Sequence, residues 1–307
     1  MKETFGQKTR RSHKRNQRVV MFWCAFVFAF VIAGVWLFRG TLFQNDSGAS
    51  SSGTNQSRHD ACGTADSRQK STDVTQAPMD HEVCQKLQDL VSQDQRVQQV
   101  IDNCEIYPED ILKMLSRNLD MLNFVLEYPE KVGQVFAETV GEVEGGEVPL
   151  LLQYDQRWGY GDYGKSSLAV SGCGPACLSM VITSLTGDDT ITPYVVAQYA
   201  SEQGYYVPGA GTAWTLMSEG AKHFGVIGEE LPLTKSIMEG VLKEGRPIIC
   251  SMRPGDFTTT GHFIVITGIK DGQFTVNDPN STERSNMLWD YDTLKPQISN
   301  LWAFQAL

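Results

Sequence analysis

The spacing of hydrophobic and polar positions divides the chain into regimes of different character. Val19 to Phe38 is a run of twenty residues without a charge, long enough as a helix to cover about 30 Å, the thickness of a hydrocarbon core. From 39 to 80 large apolar residues nearly vanish and Ser, Gly, Asn, Thr and Gln dominate, the composition of a flexible linker. Between 81 and 140 the apolar positions recur at helical spacing: Val83, Leu87, Leu90 and Val91, then Val97, Val100 and Ile101, then Ile111, Leu112, Leu115, Leu119, Leu122 and Val125. Tyr107-Pro108 interrupts this run and Tyr128-Pro129 is predicted to close it. Beyond 148, Leu178, Val181, Ile182 and Leu185 predict a helix after Cys173 that Gly187 ends, with further helices near 194–201, 212–224 and 235–244. Strand-like runs follow near 247–252, 262–269, 273–278 and 301–306. Connections after Gly261 are too short for parallel crossovers, so the expected class is α+β with an antiparallel sheet.

Charge changes the picture at the N-terminus. The first 18 residues hold seven Lys and Arg against one acid, Glu3, and directly precede the apolar run. No small-x-small cleavage site follows that run. The expected organisation is a basic cytoplasmic tail at 1–18, a transmembrane signal-anchor helix at 19–38, a linker at 39–80, a helical region at 81–140 and a catalytic domain at 148–307. The last three would lie outside the cell membrane. The chain has net charge −10, of which the tail contributes +6 and the remainder −16, so nucleic acid is not an expected partner. Of seven cysteines, Cys24 falls in the apolar run, Cys177 and Cys250 sit at packing positions, and Cys62, Cys84 and Cys104 are placed to cross-link outside the catalytic domain. One continuous helix over 83–102 would hold Cys84 and Cys104 roughly 30 Å apart; a break at Ser92-Gln93-Asp94 would relax that limit.

The candidate chemistry lies in SGCGPACLSMV, GHFIVITG and TVNDPNS. An unperturbed thiol has a pKa of about 8.5, and a helix N-terminus and a neighbouring imidazole both favour the thiolate. Cys173 stands at such a helix start, with Gly172 and Gly174 expected to let the backbone turn tightly against substrate and Pro175 suited to a first turn. His262 opens an apolar strand. Asp278, extended before Pro279, can accept from one ring nitrogen and leave the other for the thiol. His13, His59 and His81 lie in or beside polar segments, and His223 reads as a helix C-terminal cap. Trp158, Tyr160, Tyr163, Tyr205, Tyr206 and Trp214 are candidates for a cleft lining or for core. The histidines are scattered, so neither a metal nor a cofactor is expected.

Taken together and in this order, SGCGPACLSMV, the GT of PGAGTAW, GHFIVITG and VNDPNS resemble the cysteine peptidases related to bacteriocin-processing, double-glycine peptidases of the papain-like superfamily. The resemblance covers about half of the chain. It implies a papain-like fold with Cys173 as nucleophile, His262 as base and Asp278 as orienting group. Papain-like enzymes commonly carry an oxyanion glutamine about six residues before the cysteine. That position here is Ser167, while Gln153 and Gln156 lie farther upstream. The expected activity is hydrolysis of peptide bonds in a peptide or protein substrate by a membrane-anchored enzyme. Alternatives are hydrolysis of cell-wall peptide cross-links and a catalytically silent peptide-binding or adhesion module. Gly145-Gly146, just ahead of the domain, matches the paired glycines that some relatives cut.

Overall fold

A computed structural model of the chain describes residues 80–307. The basic tail, the apolar run at 19–38 and the linker, together with Cys24 and Cys62, lie outside the described residues, and no described helix is long and apolar enough to cross a membrane.

Four helices form the first element: α1 (His81–Val91), α2 (Val97–Asp102), α3 (Glu109–Leu115) and α4 (Leu122–Lys131). Asp80 caps α1 by accepting the N–H of Glu82, and the chain breaks between Val91 and Val97, so 83–102 is two helices. The apolar spacing becomes a core in which Leu87, Val97, Val100, Ile111, Leu115 and Val125 are fully buried. Pro129 does not close α4 as its Tyr-Pro pair suggested; the helix runs on to Lys131. A proline in the last turn forfeits one hydrogen bond, and the Tyr128 carbonyl accepts from Val132 N–H just beyond it.

After a segment to about residue 161 and a short ribbon (Asp162–Tyr163 with Ser166–Ser167), one turn of helix, α5 (Leu168–Ser171), leads through Gly172 into α6 (Cys173–Thr186) and then α7 (Pro193–Glu202). Gly187, with φ 73°, ends α6 as its position predicts. The expected helix at 212–224 is instead two short pieces, Thr215–Ser218 and a 3₁₀ turn Gly220–Phe224, closed by Gly225 at φ 78°. A longer helix, α8 (Lys235–Lys243), follows.

Six antiparallel strands complete the domain: β1 (Val226–Glu230), β2 (Ile248–Met252), β3 (His262–Lys270), β4 (Gln273–Asn277), β5 (Leu288–Trp289) and β6 (Ile298–Ala306), ordered β1-β6-β2-β3-β4-β5. β1 and β5 escape a sequence pattern because β1 has only two apolar residues before Gly228 and two acids after it, and β5 is two residues long. The β3–β4 hairpin turns on Asp271 and Gly272, with φ 53° and 80°, the residue pair that a two-residue turn favours. The central strands are buried on both faces: Ile249, Phe263, Val265 and Trp302 pack with α6, whereas Ile248, Cys250, Ile264 and Ile266 pack with Met238 and Leu242 of α8. That double burial explains their near-continuous apolar runs.

The helical element joins the domain through Phe124, which stacks on Tyr160 with centroids 4.4 Å apart. Replacing Phe124 by Ala should cost about 3–5 kcal/mol of stability by leaving a cavity at this joint. Urea denaturation of wild type and variant reads the difference, and a loss below about 1 kcal/mol would contradict this packing role.

Candidate active site

Each functional side chain has a separate scaffold. Cys173 is the first residue of α6, where backbone N–H groups lack intrahelical acceptors and the helix dipole favours a negative sulfur. His262 begins β3. Asp278 follows β4, and the register that sets Val265 opposite Asn277 carries it toward the His262 end of the hairpin. His262 Nε2 donates to Asp278 Oδ1 at 2.7 Å, and the ring's other nitrogen is left for Cys173, whose thiol also acts to raise the imidazole pKa. The three predicted side chains are therefore brought together.

The electrostatics follow from burial. Asp278 is fully buried, which alone would push its carboxyl pKa up. His262 and Arg284 outweigh that and hold it below the ordinary carboxylate range. Arg284 Nε donates to Oδ2 at 2.5 Å, and the Asn280 N–H donates to Oδ1 at 2.8 Å. His262, 8% exposed, is opposed by its own desolvation but raised by Asp278 and then by Cys173, to about 10.

Arg284 was invisible as a functional residue in the sequence. Its signal is Ser281, which accepts the Arg284 N–H at 3.1 Å and starts the single turn Thr282–Ser285 that folds the guanidinium back onto Asp278. The glycines act differently from expectation. A Cβ on Gly174 would meet Thr212 Oγ1 at 2.7 Å, and one on Gly172 would meet the Leu168 carbonyl at 2.4 Å, so both make room for the protein's own atoms.

The three oxyanion candidates separate. Gln156 Nε2 donates to Glu127 and lies near the Tyr160 hydroxyl, on the joint with the helical element, and Gln156 does not line the cleft. Ser167 is buried beside Tyr128 and likewise stays outside it. Gln153 is buried and also outside the cleft lining, but its Nε2 donates to the Ala169 carbonyl at 2.5 Å, four residues before Cys173. In an unbroken helix that carbonyl would accept the N–H of Cys173.

Cys173 and His262 open into a cleft of about 970 Å³. Tyr206 and Trp214 line it, whereas Trp158, Tyr160 and Tyr163 are fully buried core. Trp214 is half exposed and its Nε1 donates to Ser251 Oγ at 3.0 Å. Asp110, Lys113, Met114 and Arg117 of the helical element also line the cleft, a contribution no motif announced. His223 stacks on Tyr199 at 4.2 Å. Cys177 and Cys250 are buried, and burial pushes both thiols up, as packing residues should show. Gly145-Gly146 is an exposed turn, with Gly146 at φ 85°, outside the cleft; just beyond it the Val148 carbonyl accepts from Asn277 Nδ2 at 2.9 Å.

A thiol at a helix start facing a histidine and an acid on an antiparallel sheet defines the protein as a cysteine peptidase by class. The chain belongs to the Peptidase_C39 like family, whose model matches residues 146–305, just over half of its length. Among solved structures it is similar to the peptidase domain of Streptococcus ComA, a bi-functional ABC transporter involved in a quorum sensing pathway. Identity is 17% over 45% of this chain and 93% of that one, with a TM-score of 0.36. No curated protein matches the chain significantly.

The raised His262 and lowered Asp278 predict a charged pair throughout the neutral range. His262's share of stability is complete below the ordinary imidazole value and is lost as pH rises through about 10. Asp278's share is present above the ordinary carboxylate value and is lost as pH falls through its lowered one. In Asp278→Asn the imidazole keeps its burial and the influence of Cys173 but loses the carboxylate, so the His262 titration followed by NMR should drop from about 10. An unmoved titration would show that Asp278 does not set the ring's charge.

Proposed function

We propose that this protein hydrolyses peptide bonds through a Cys173-His262-Asp278 triad. The supporting observation is the hydrogen bond from His262 to buried Asp278, with His262 and the Cys173 thiol at the start of α6 both lining one open cleft. The imidazolium and thiolate form one pair. The sulfur attacks the peptide carbonyl, forming a C–S bond and an oxyanion. His262 then gives its proton to the leaving nitrogen as the C–N bond breaks. Water, deprotonated by His262, next cleaves the thioester and restores the thiol.

The Cys173 N–H is the first oxyanion donor in this reading. Gln153 supports it by bonding the Ala169 carbonyl, four residues before Cys173, and so bracing the helix start. Asp278, with Arg284 on its outer oxygen, fixes the ring orientation. Gln153→Ala should unbrace the helix start that carries the Cys173 N–H and lower kcat by about 10²-fold or more, the effect of losing an oxyanion donor. An unchanged kcat would remove Gln153 from the site.

Cys173→Ala tests the nucleophile. Wild type should react stoichiometrically with a peptide electrophile such as an acyloxymethyl ketone, and the variant should not; undiminished labelling would overturn the assignment. The same reading places the enzyme on the membrane by 19–38, with the basic tail cytoplasmic and the peptidase outside. The apolar run and its basic flank support this. Protease added to intact cells should digest the portion beyond residue 39 and spare the tail, and protection of 81–307 would reverse that orientation.

A further inference from the structure

The helical element is part of the cleft, and the way it enters is specific. Asp110, Lys113, Met114 and Arg117 follow i, i+3, i+4, i+7 spacing and share one face of α3 and its exit, while Ile111, Leu112 and Leu115 are buried on the other. All four polar-face residues line the same cleft as Cys173 and His262. Their placement is held from the residues just beyond Asp278. Asn118 Nδ2 donates to the Asn280 carbonyl at 2.8 Å, and the Asp120 carboxylate accepts from the Thr282 hydroxyl. Arg117 Nη1 reaches Thr259 Oγ1 at 3.4 Å, in the loop that leads into His262.

The charges on this wall are unequal. Lys113 is already paired with Glu109 at 2.6 Å. Arg117, and Lys165 in the turn of the Asp162–Tyr163/Ser166–Ser167 ribbon, have no acidic partner among the described residues. Asp110 is the one acid in the lining, and apart from His262 the remaining lining residues are uncharged. Arg117 spends one of five N–H donors on a neutral hydroxyl. Two unpaired cations lining the same cleft as Cys173, in a chain of net charge −10, oppose the field of the molecule around them.

We propose that the cleft selects peptides that carry a carboxylate near the scissile bond, held by Arg117 and Lys165. The helical element thereby acts as a substrate-reading wall of the peptidase. This rests on the reading of Cys173 as nucleophile and adds the chemical class of what that site accepts. An acidic side chain and a free C-terminal carboxylate share the required chemistry.

Binding to full-length Cys173→Ala protein tests the proposal without turnover. The probes are fluorescein-labelled Ala-Gly octapeptides in three forms: one with a central Glu and an amidated C-terminus, one with central Gln and the same amide, and one with central Gln and a free C-terminus. Fluorescence anisotropy reads their affinities at low salt and at high salt. One of the two carboxylate peptides should bind about three- to tenfold more tightly than the uncharged one, and which of them does so identifies the source. The preference should shrink with salt and vanish in Arg117→Gln/Lys165→Gln, whose exposed side chains can be replaced without loss of thermal stability. Equal affinities, no measurable binding, or a preference that survives the double substitution would overturn it. Wild-type labelling by an uncharged peptide electrophile is run in parallel. Labelling without a carboxylate preference rejects only the selectivity, whereas absent labelling rejects the nucleophile itself.

Discussion

A buried carboxylate is the constraint around which this site is organised. Asp278 has no solvent to stabilise its charge, and an unpaired charge in that position would be very costly. Three donors replace water: the His262 ring, the Arg284 guanidinium and the Asn280 N–H. Satisfying them dictates the local fold. Ser281 caps a single helical turn so that Arg284 returns to its target, and Ser285 Oγ accepts the Asp278 N–H at 2.9 Å, closing the loop on itself. The sheet register then decides where the imidazole stands, and the imidazole decides where a thiol is useful.

A second constraint acts on the thiol. A continuous helix from Leu168 to Thr186 would bury the Cys173 N–H in an ordinary backbone hydrogen bond. Instead, Gly172 interrupts the path and Gln153 occupies the Ala169 carbonyl. Contact between Gly174 and Thr212, whose hydroxyl is bonded to Tyr163 at 2.8 Å, presses the new helix start against the cleft wall. Cys173 thus stands at the start of a new helix, separated by Gly172 from the turn before it.

The sequence made much of this legible, for physical reasons. Cys173, His262 and Asp278 were readable because each sits beside a structural signal: a glycine-proline helix start, a glycine before an apolar strand, a carboxylate before proline. The long sheet strands and α6 to α8 were readable because apolar runs and spacing persist over several residues. Arg284 was not, since its role depends on a one-turn helix closing six residues of chain. The separation of Gln153 from Gln156 was equally hidden, because three residues of spacing cannot say which amide turns toward α5 and which toward Glu127. The polar face Asp110, Lys113, Met114 and Arg117 was present as a helical pattern, but a pattern does not name the surface it faces. Pro129 misled because its cost is small within two residues of a helix end.

The joint between the helical element and the domain has a consequence for what counts as one protein unit. The family match begins at residue 146, yet the core that holds α1 to α4 also contains Tyr154, Tyr160 and Ala169 from beyond that boundary. A chain cut at 146 would therefore keep every residue of the proposed triad and still leave Tyr160 without Phe124 and Asn280 without Asn118. Homology and cooperativity draw different borders here. The segment inherited with the family begins at residue 146, while the apolar surface that must be buried together extends back to Val83.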